Sequence, residues 1–135
     1  MSRVTGHDFQ YKFSEEYLPV KLGIKIIRVL VGLYYFIIAL VSFFIGFSYH
    51  KNGKLDLAIE KYKIAVEKHK KILGLIPTHI EFPTVHIQLG KIYMYQNKIG
   101  DAINEFKKAI SINNRDPYFH VCLGLAYEKY GQTSY

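Results

Sequence analysis

Residues able to do chemistry are few in this chain and poorly grouped for it. Glu15 and Glu16 are a pair of carboxylates, but they sit in a polar leader beside Ser14, and Ser14 reads more simply as capping a helix start. The six histidines, at 7, 50, 69, 79, 86 and 120, show no metal-ligand spacing on one helix face. His79 and His86 are two turns apart with no cysteine or carboxylate pair nearby, so no zinc site is expected. Cys122 is the only cysteine; it can form no internal disulfide and reads as a small buried apolar residue. There is no activated nucleophile, and no G-x-x-x-x-G-K-[ST] loop to cradle a phosphate. The expectation is a protein without catalytic residues, metal, cofactor or small-molecule substrate.

Charge narrows the partners further. The net charge is +7, from 18 Lys plus Arg against 11 Asp plus Glu. The lysines are dispersed along helical segments, and arginine, the usual reader of base edges, occurs only at Arg3, Arg28 and Arg115. Solvated helix faces and lysines flanking a lipid-facing segment account for this charge, and nucleic acid is not an expected partner.

The elements that would position any site begin with an apolar run. Val29–Tyr49 is 21 residues without a charge, an Asn, a Gln or a Pro. About 20 such residues carry a helix across a bilayer core. The run lies too far into the chain, and is too long, for the apolar core of a cleaved signal peptide, and "SYHKNG" after it is no cleavage site. It therefore reads as an uncleaved anchor within a helix over 19–49, started by Pro19 in its first turn. Lys21, Lys25 and Arg28 precede the run on one helix face and can reach lipid phosphates. Gly32, Ala39, Ser42 and Gly46 fall near one face, where small residues let another helix approach closely. The expected location is a membrane, crossed once. Basic residues flank both ends, so the sequence does not decide which side the rest of the chain faces. Residues 1–18 form a leader whose Phe9, Tyr11, Phe13 and Tyr17 could lie on the membrane surface or a partner; their alternation is too weak to assign a structure.

Self-similarity organises the remainder. Ile45-Gly46-x2-Tyr49, Leu89-Gly90-x2-Tyr93 and Leu123-Gly124-x2-Tyr127 share one pattern. The first two continue into Ala58-x3-Tyr62-x2-Ala65 and Ala102-x3-Phe106-x2-Ala109. Gly90 and Gly124 are 34 residues apart; Gly46 and Gly90 are 44 apart, which places an insertion in "KKILGLIPTHIEFP". The insertion is expected to lengthen a helix to about Leu73 and to add a loop held by Pro77 and Pro83. "KNGKLD" and "QNKIGD" are equivalent turns.

This pattern resembles the tetratricopeptide repeat, with its L-G-x2-Y and A-x3-F signature on a 34-residue period. The resemblance covers residues 39–135, with repeats over about 39–73 and 83–116 and a partial one over 117–135. It departs from the family where the signature Trp is replaced by Ser42, His86 and His120. It implies an all-α fold: an N-terminal transmembrane helix continuous with a short solenoid of about two and a half helical hairpins. In such hairpins the glycines and Ala58 or Ala102 would let paired helices come close.

The resemblance also implies a concave groove made by the first helix of each hairpin, which binds peptides or helices. Here it would hold Phe43, Phe47, His50, Ile87, Lys91, Met94, Tyr118, Val121 and Leu125. Only Lys91 resembles the cations that clamp a terminal carboxylate in chaperone-binding members, so an apolar helix or extended segment is the better ligand. The function implied is that of a non-catalytic accessory, scaffold or assembly subunit of a larger membrane complex, with the other subunits and the bilayer as partners. The alternative is a membrane-tethered receptor or co-chaperone that captures clients transiently.

Overall fold

The computed structural model describes residues 6–73, 75 and 82–133, with side chains for 18–72, 75 and 82–132. Five helices follow one another with no strand among the described residues: α1 Gly6–Lys51, α2 Leu55–Leu73, α3 Pro83–Tyr95, α4 Ile99–Ile112 and α5 Pro117–Thr133. The fold is the expected all-α stack of hairpins, entered through one long apolar helix. Pro77 lies outside the described residues. Pro83 is not a loop residue: it is the first residue of α3, where its missing N–H has no intrahelical partner to lose.

One departure concerns the start of α1. The helix begins at Gly6, so part of the leader is helical and Pro19 lies inside it rather than in its first turn. Proline there gives up one backbone hydrogen bond to the preceding turn, and the helix continues through it. The small-residue face of α1 is covered. Gly32, Ala39, Ser42 and Gly46 are all buried. For Gly46 the neighbour is α2 of the same chain: a Cβ there would meet the Tyr62 ring at 2.9 Å. α2 folds back along α1 and takes this position, the close approach within a hairpin that the Gly46 and Ala58 spacing implies.

The two hairpins are built alike. Tyr62 of α2 sits on Gly46 of α1; Phe106 of α4 sits on Gly90 of α3, where a Cβ would fall 2.4 Å from the ring. The alanines flanking each aromatic, Ala58, Ala65, Ala102 and Ala109, are at most 2% exposed. The turns match as well. Gly53 and Asn97 both have positive φ, at 72° and 60°. Lys54 N–H bonds to Tyr49 C=O at 2.9 Å, and Lys98 N–H to Tyr93 C=O at 2.8 Å, closing each first helix with a Schellman-type bond.

Stacking makes the core continuous. Val85, Leu89 and Ile92 of α3 pack with Ala58 and Tyr62 of the first hairpin. On the other side, Phe119, Cys122 and Ala126 of α5 pack with Ile87, Ile103 and Phe106 of the second. Asp116 caps α5, its carboxylate accepting the Tyr118 N–H at 3.0 Å. Among the described residues α5 packs against α4 and α3, and a Cβ on Gly124 would meet nothing within 4 Å.

Two expectations follow. Gly90→Ala should cost roughly 1–3 kcal/mol, because buried Phe106 cannot yield, while Gly124→Ala should be neutral or gain up to about 1 kcal/mol from helix propensity. Denaturant melts of both variants check the pair; equal effects would contradict the hairpin geometry. Tyr62 is fully buried, and its hydroxyl has no hydrogen-bond partner among the described residues. Burial pushes that phenol up to about 12. Tyr62→Phe, which copies Phe106 of the second hairpin, should therefore be neutral or stabilising by roughly 1 kcal/mol in the same melts.

Candidate protein-interaction site

The first helices α1, α3 and α5 line one side of the stack, and their outward residues form a strip. Phe47 on α1 is 39% exposed, with the Lys51 ammonium 5.5 Å above its ring. His50, one turn on, is half-buried; burial and then the charge of Lys91 hold its imidazole below the usual range. The Lys91 ammonium in turn lies 5.1 Å from the Tyr118 ring centre on α5. This cation–π contact ties the second first-helix to the third. Beyond it, Val121 and Leu125 are 56% and 55% exposed. Their burial elsewhere would remove a substantial apolar area from water.

The structure brings together Phe47, His50, Lys91, Tyr118, Val121 and Leu125 along this side. Met94 is half-buried and packs partly against the core. Two other expected groove residues point elsewhere. Ile87 is 2% exposed and belongs to the core shared with α4 and α5. Phe43 is half-buried, its ring 5.7 Å from that of Tyr62 inside the first hairpin. Both are taken by the stacking contacts that the repeat itself requires. Tyr95, at the end of α3, is 82% exposed beside Met94; it was missed because it follows the matched motif.

A second polar feature lies between α3 and α4. His86 Nδ1 donates to Glu105 Oε2 at 2.6 Å, and Lys108 Nζ donates to Glu105 Oε1 at 2.6 Å. The His86 and Glu105 side chains are only 13% and 12% exposed. His86 precedes Gly90 by one turn, and Glu105 precedes Phe106 by one residue. The signal was thus present in the spacing: the same register that seats Phe106 on Gly90 brings the imidazole to the carboxylate. Together with α2, this pair lines a cleft that includes Lys63, Glu67 and Lys70. Among the described residues no three His, Cys, Asp or Glu side chains gather in a way that could hold a metal ion.

Burial alone would raise the Glu105 carboxyl, but the hydrogen bonds and charges of His86 and Lys108 outweigh it and hold the carboxyl below its ordinary 4.5. The sign of the linkage follows: the stabilisation is present above pH 4.5 and is lost as pH falls through the lower folded value. Glu105→Gln should cost roughly 1–3 kcal/mol near neutral pH. That cost should shrink in melts taken progressively below pH 4.5. A pH-independent difference would mean that the carboxylate charge contributes nothing.

No curated protein matches the chain. Residues 90–131, which run from the Gly90 seat of α3 through α4 to the end of α5, match the family model for the TPR repeat.

Proposed function

We propose that the chain is a non-catalytic, membrane-attached TPR protein that serves as an accessory, scaffold or assembly subunit of a larger membrane complex. TPR repeats are typically protein-interaction modules without catalysis of their own, and the match over 90–131 supports that reading. The observation that carries it is α5. Its inner face is packed, yet Tyr118, Val121, Leu125 and Tyr127 are each about half exposed, and the side at Gly124 is open. An apolar face of this kind is normally an interaction site.

The membrane half of the reading rests on α1. Its Leu18–Lys51 portion is 34 residues long and apolar enough to cross a membrane, and most of it is exposed. A receptor that clamps a terminal carboxylate is less well supported, because Lys91 is already engaged with Tyr118. An apolar helix or extended segment laid along Phe47, Tyr118, Val121 and Leu125 suits the strip better.

Val121→Asp with Leu125→Asp should detach the protein from its complex while leaving it folded, since neither side chain is in the core. A buried anchor of this type is worth roughly 2 kcal/mol or more when truncated. Lys91→Ala should weaken binding by no more than about 1 kcal/mol. Co-purification from detergent extracts, resolved on native gels, checks both. The double variant retained at full stoichiometry would exclude this face.

A further inference from the structure

From Lys21 to Gly46, α1 has two unlike sides. Lys21, Lys25 and Arg28 recur at helical spacing on the side that also carries Gly32, Ala39, Ser42 and Gly46. Roughly opposite, Ile26, Leu30, Leu33, Ile37, Val41 and Phe44 form a continuous apolar stripe, each 50–65% exposed. No acidic residue occurs between Leu18 and Lys51. Any surface that covers this helix must accept an apolar ridge and three cations with no countercharge of their own.

The position of α2 limits how a bilayer can supply that surface. α2 runs back alongside the second half of α1, with Tyr62 on Gly46 and the Lys71 ammonium 5.7 Å from the Tyr35 ring centre. If Val29–Tyr49 crossed the hydrocarbon, α2 would be carried in beside it. Glu60, Lys63, Glu67 and Lys70, all exposed on α2, would then meet lipid tails. Charges facing lipid at that depth are strongly disfavoured. Sliding the span toward the N-terminus leaves only Leu18–Tyr34, 17 residues counted inclusively, with Lys21, Lys25 and Arg28 inside it. Three cations within so short a stretch would then face the hydrocarbon, which is strongly disfavoured.

We propose that α1 lies in the plane of the membrane rather than through it. The stripe from Ile26 to Phe44 enters the boundary between headgroups and acyl chains, and Lys21, Lys25 and Arg28 bind the phosphates of anionic lipids. Over Leu18–Tyr34 the apolar arc is wide, since Val20, Ile24 and Ile27 on its flanks are also more than half exposed. A helix with so wide an arc sinks about 5–10 Å into the interface, which brings its narrow basic strip to phosphate height. α2 and the rest of the stack then stay in water, with the interaction strip of α3 and α5 available to a partner. This inference rests on the membrane-attached reading and specifies the lipid class and the geometry.

The test uses the full chain synthesised in the presence of sealed vesicles, either of phosphatidylcholine alone or of phosphatidylcholine mixed with phosphatidylglycerol. Ser2→Cys and Gln132→Cys, each in a Cys122→Ala background, are probed with a membrane-impermeant maleimide. In-plane binding predicts that both cysteines react without detergent. It also predicts flotation that favours the anionic vesicles and weakens with salt. Lys21→Gln, Lys25→Gln and Arg28→Gln together should lower affinity for the anionic vesicles by roughly 100-fold. Ile37→Asp with Phe44→Asp should abolish flotation with both compositions while preserving the helical circular dichroism. One cysteine reacting only after detergent would show a crossing helix, overturning the geometry and leaving membrane attachment intact. Equal flotation with both compositions would overturn the anionic-lipid assignment. No flotation with either, with self-association that the Ile37→Asp and Phe44→Asp pair removes, would assign the stripe to a second copy of the chain and overturn the membrane reading as well.

Discussion

The seating of an aromatic ring on a glycine is the contact on which the rest of this structure depends. Tyr62 on Gly46 and Phe106 on Gly90 set how closely the two helices of each hairpin approach. Only hydrogen at the seat leaves room for the ring, and that depth also buries Ala58 and Ala102 completely. Once each hairpin is closed at that distance, its outer aliphatic residues present a surface to the next. Val85 and Ile92 then pack on the first hairpin, and Phe119, Cys122 and Ala126 on the second. Gly124 shows the same residue without its ring. Among the described residues nothing lies within 4 Å of the place a Cβ on Gly124 would take.

A second constraint is that α1 serves two purposes with one helix. Its small-residue side is consumed by α2, so nothing else can use that side where the hairpin forms. What remains is the apolar stripe and the basic strip ahead of the hairpin. The joining turn is short and closed by the Tyr49–Lys54 backbone bond, which leaves little freedom between α1 and the stack. A polypeptide bound along α3 and α5 would therefore be held at a defined angle relative to α1. A long flexible tether would not provide so rigid a coupling.

Polar contacts refine the stack rather than create it. The Lys129 ammonium donates to the Met94 carbonyl at 3.1 Å, linking α5 to the end of α3, and Gln96 Nε2 donates to Asp56 Oδ1 at 3.3 Å between the hairpins. Both are peripheral. The His86–Glu105 pair is the deeper one, and it occupies the position where the family signature has a large indole. A hydrogen-bonded pair there replaces packing volume with a directional contact between α3 and α4, where the first hairpin has Ser42 at the matching position.

Much of this was legible in the sequence. The Gly-x2-Tyr and Ala-x3-aromatic-x2-Ala spacings identified which residues close a hairpin, because close approach needs small residues at fixed helical intervals. The Asn-Gly pair marked the first turn, and Asn97 took the same left-handed conformation in the second. Periodicity, however, assigns a residue to a helix face without naming the neighbour that covers it. That choice was left to tertiary packing. It drew Ile87 and Phe43 inward, joined His86 to Glu105 across two helices, and carried α1 back through Pro19 to Gly6. An apolar helix face is equally satisfied by lipid, a partner or its own chain. Local sequence determines that it must be covered, and only the folded arrangement decides by what.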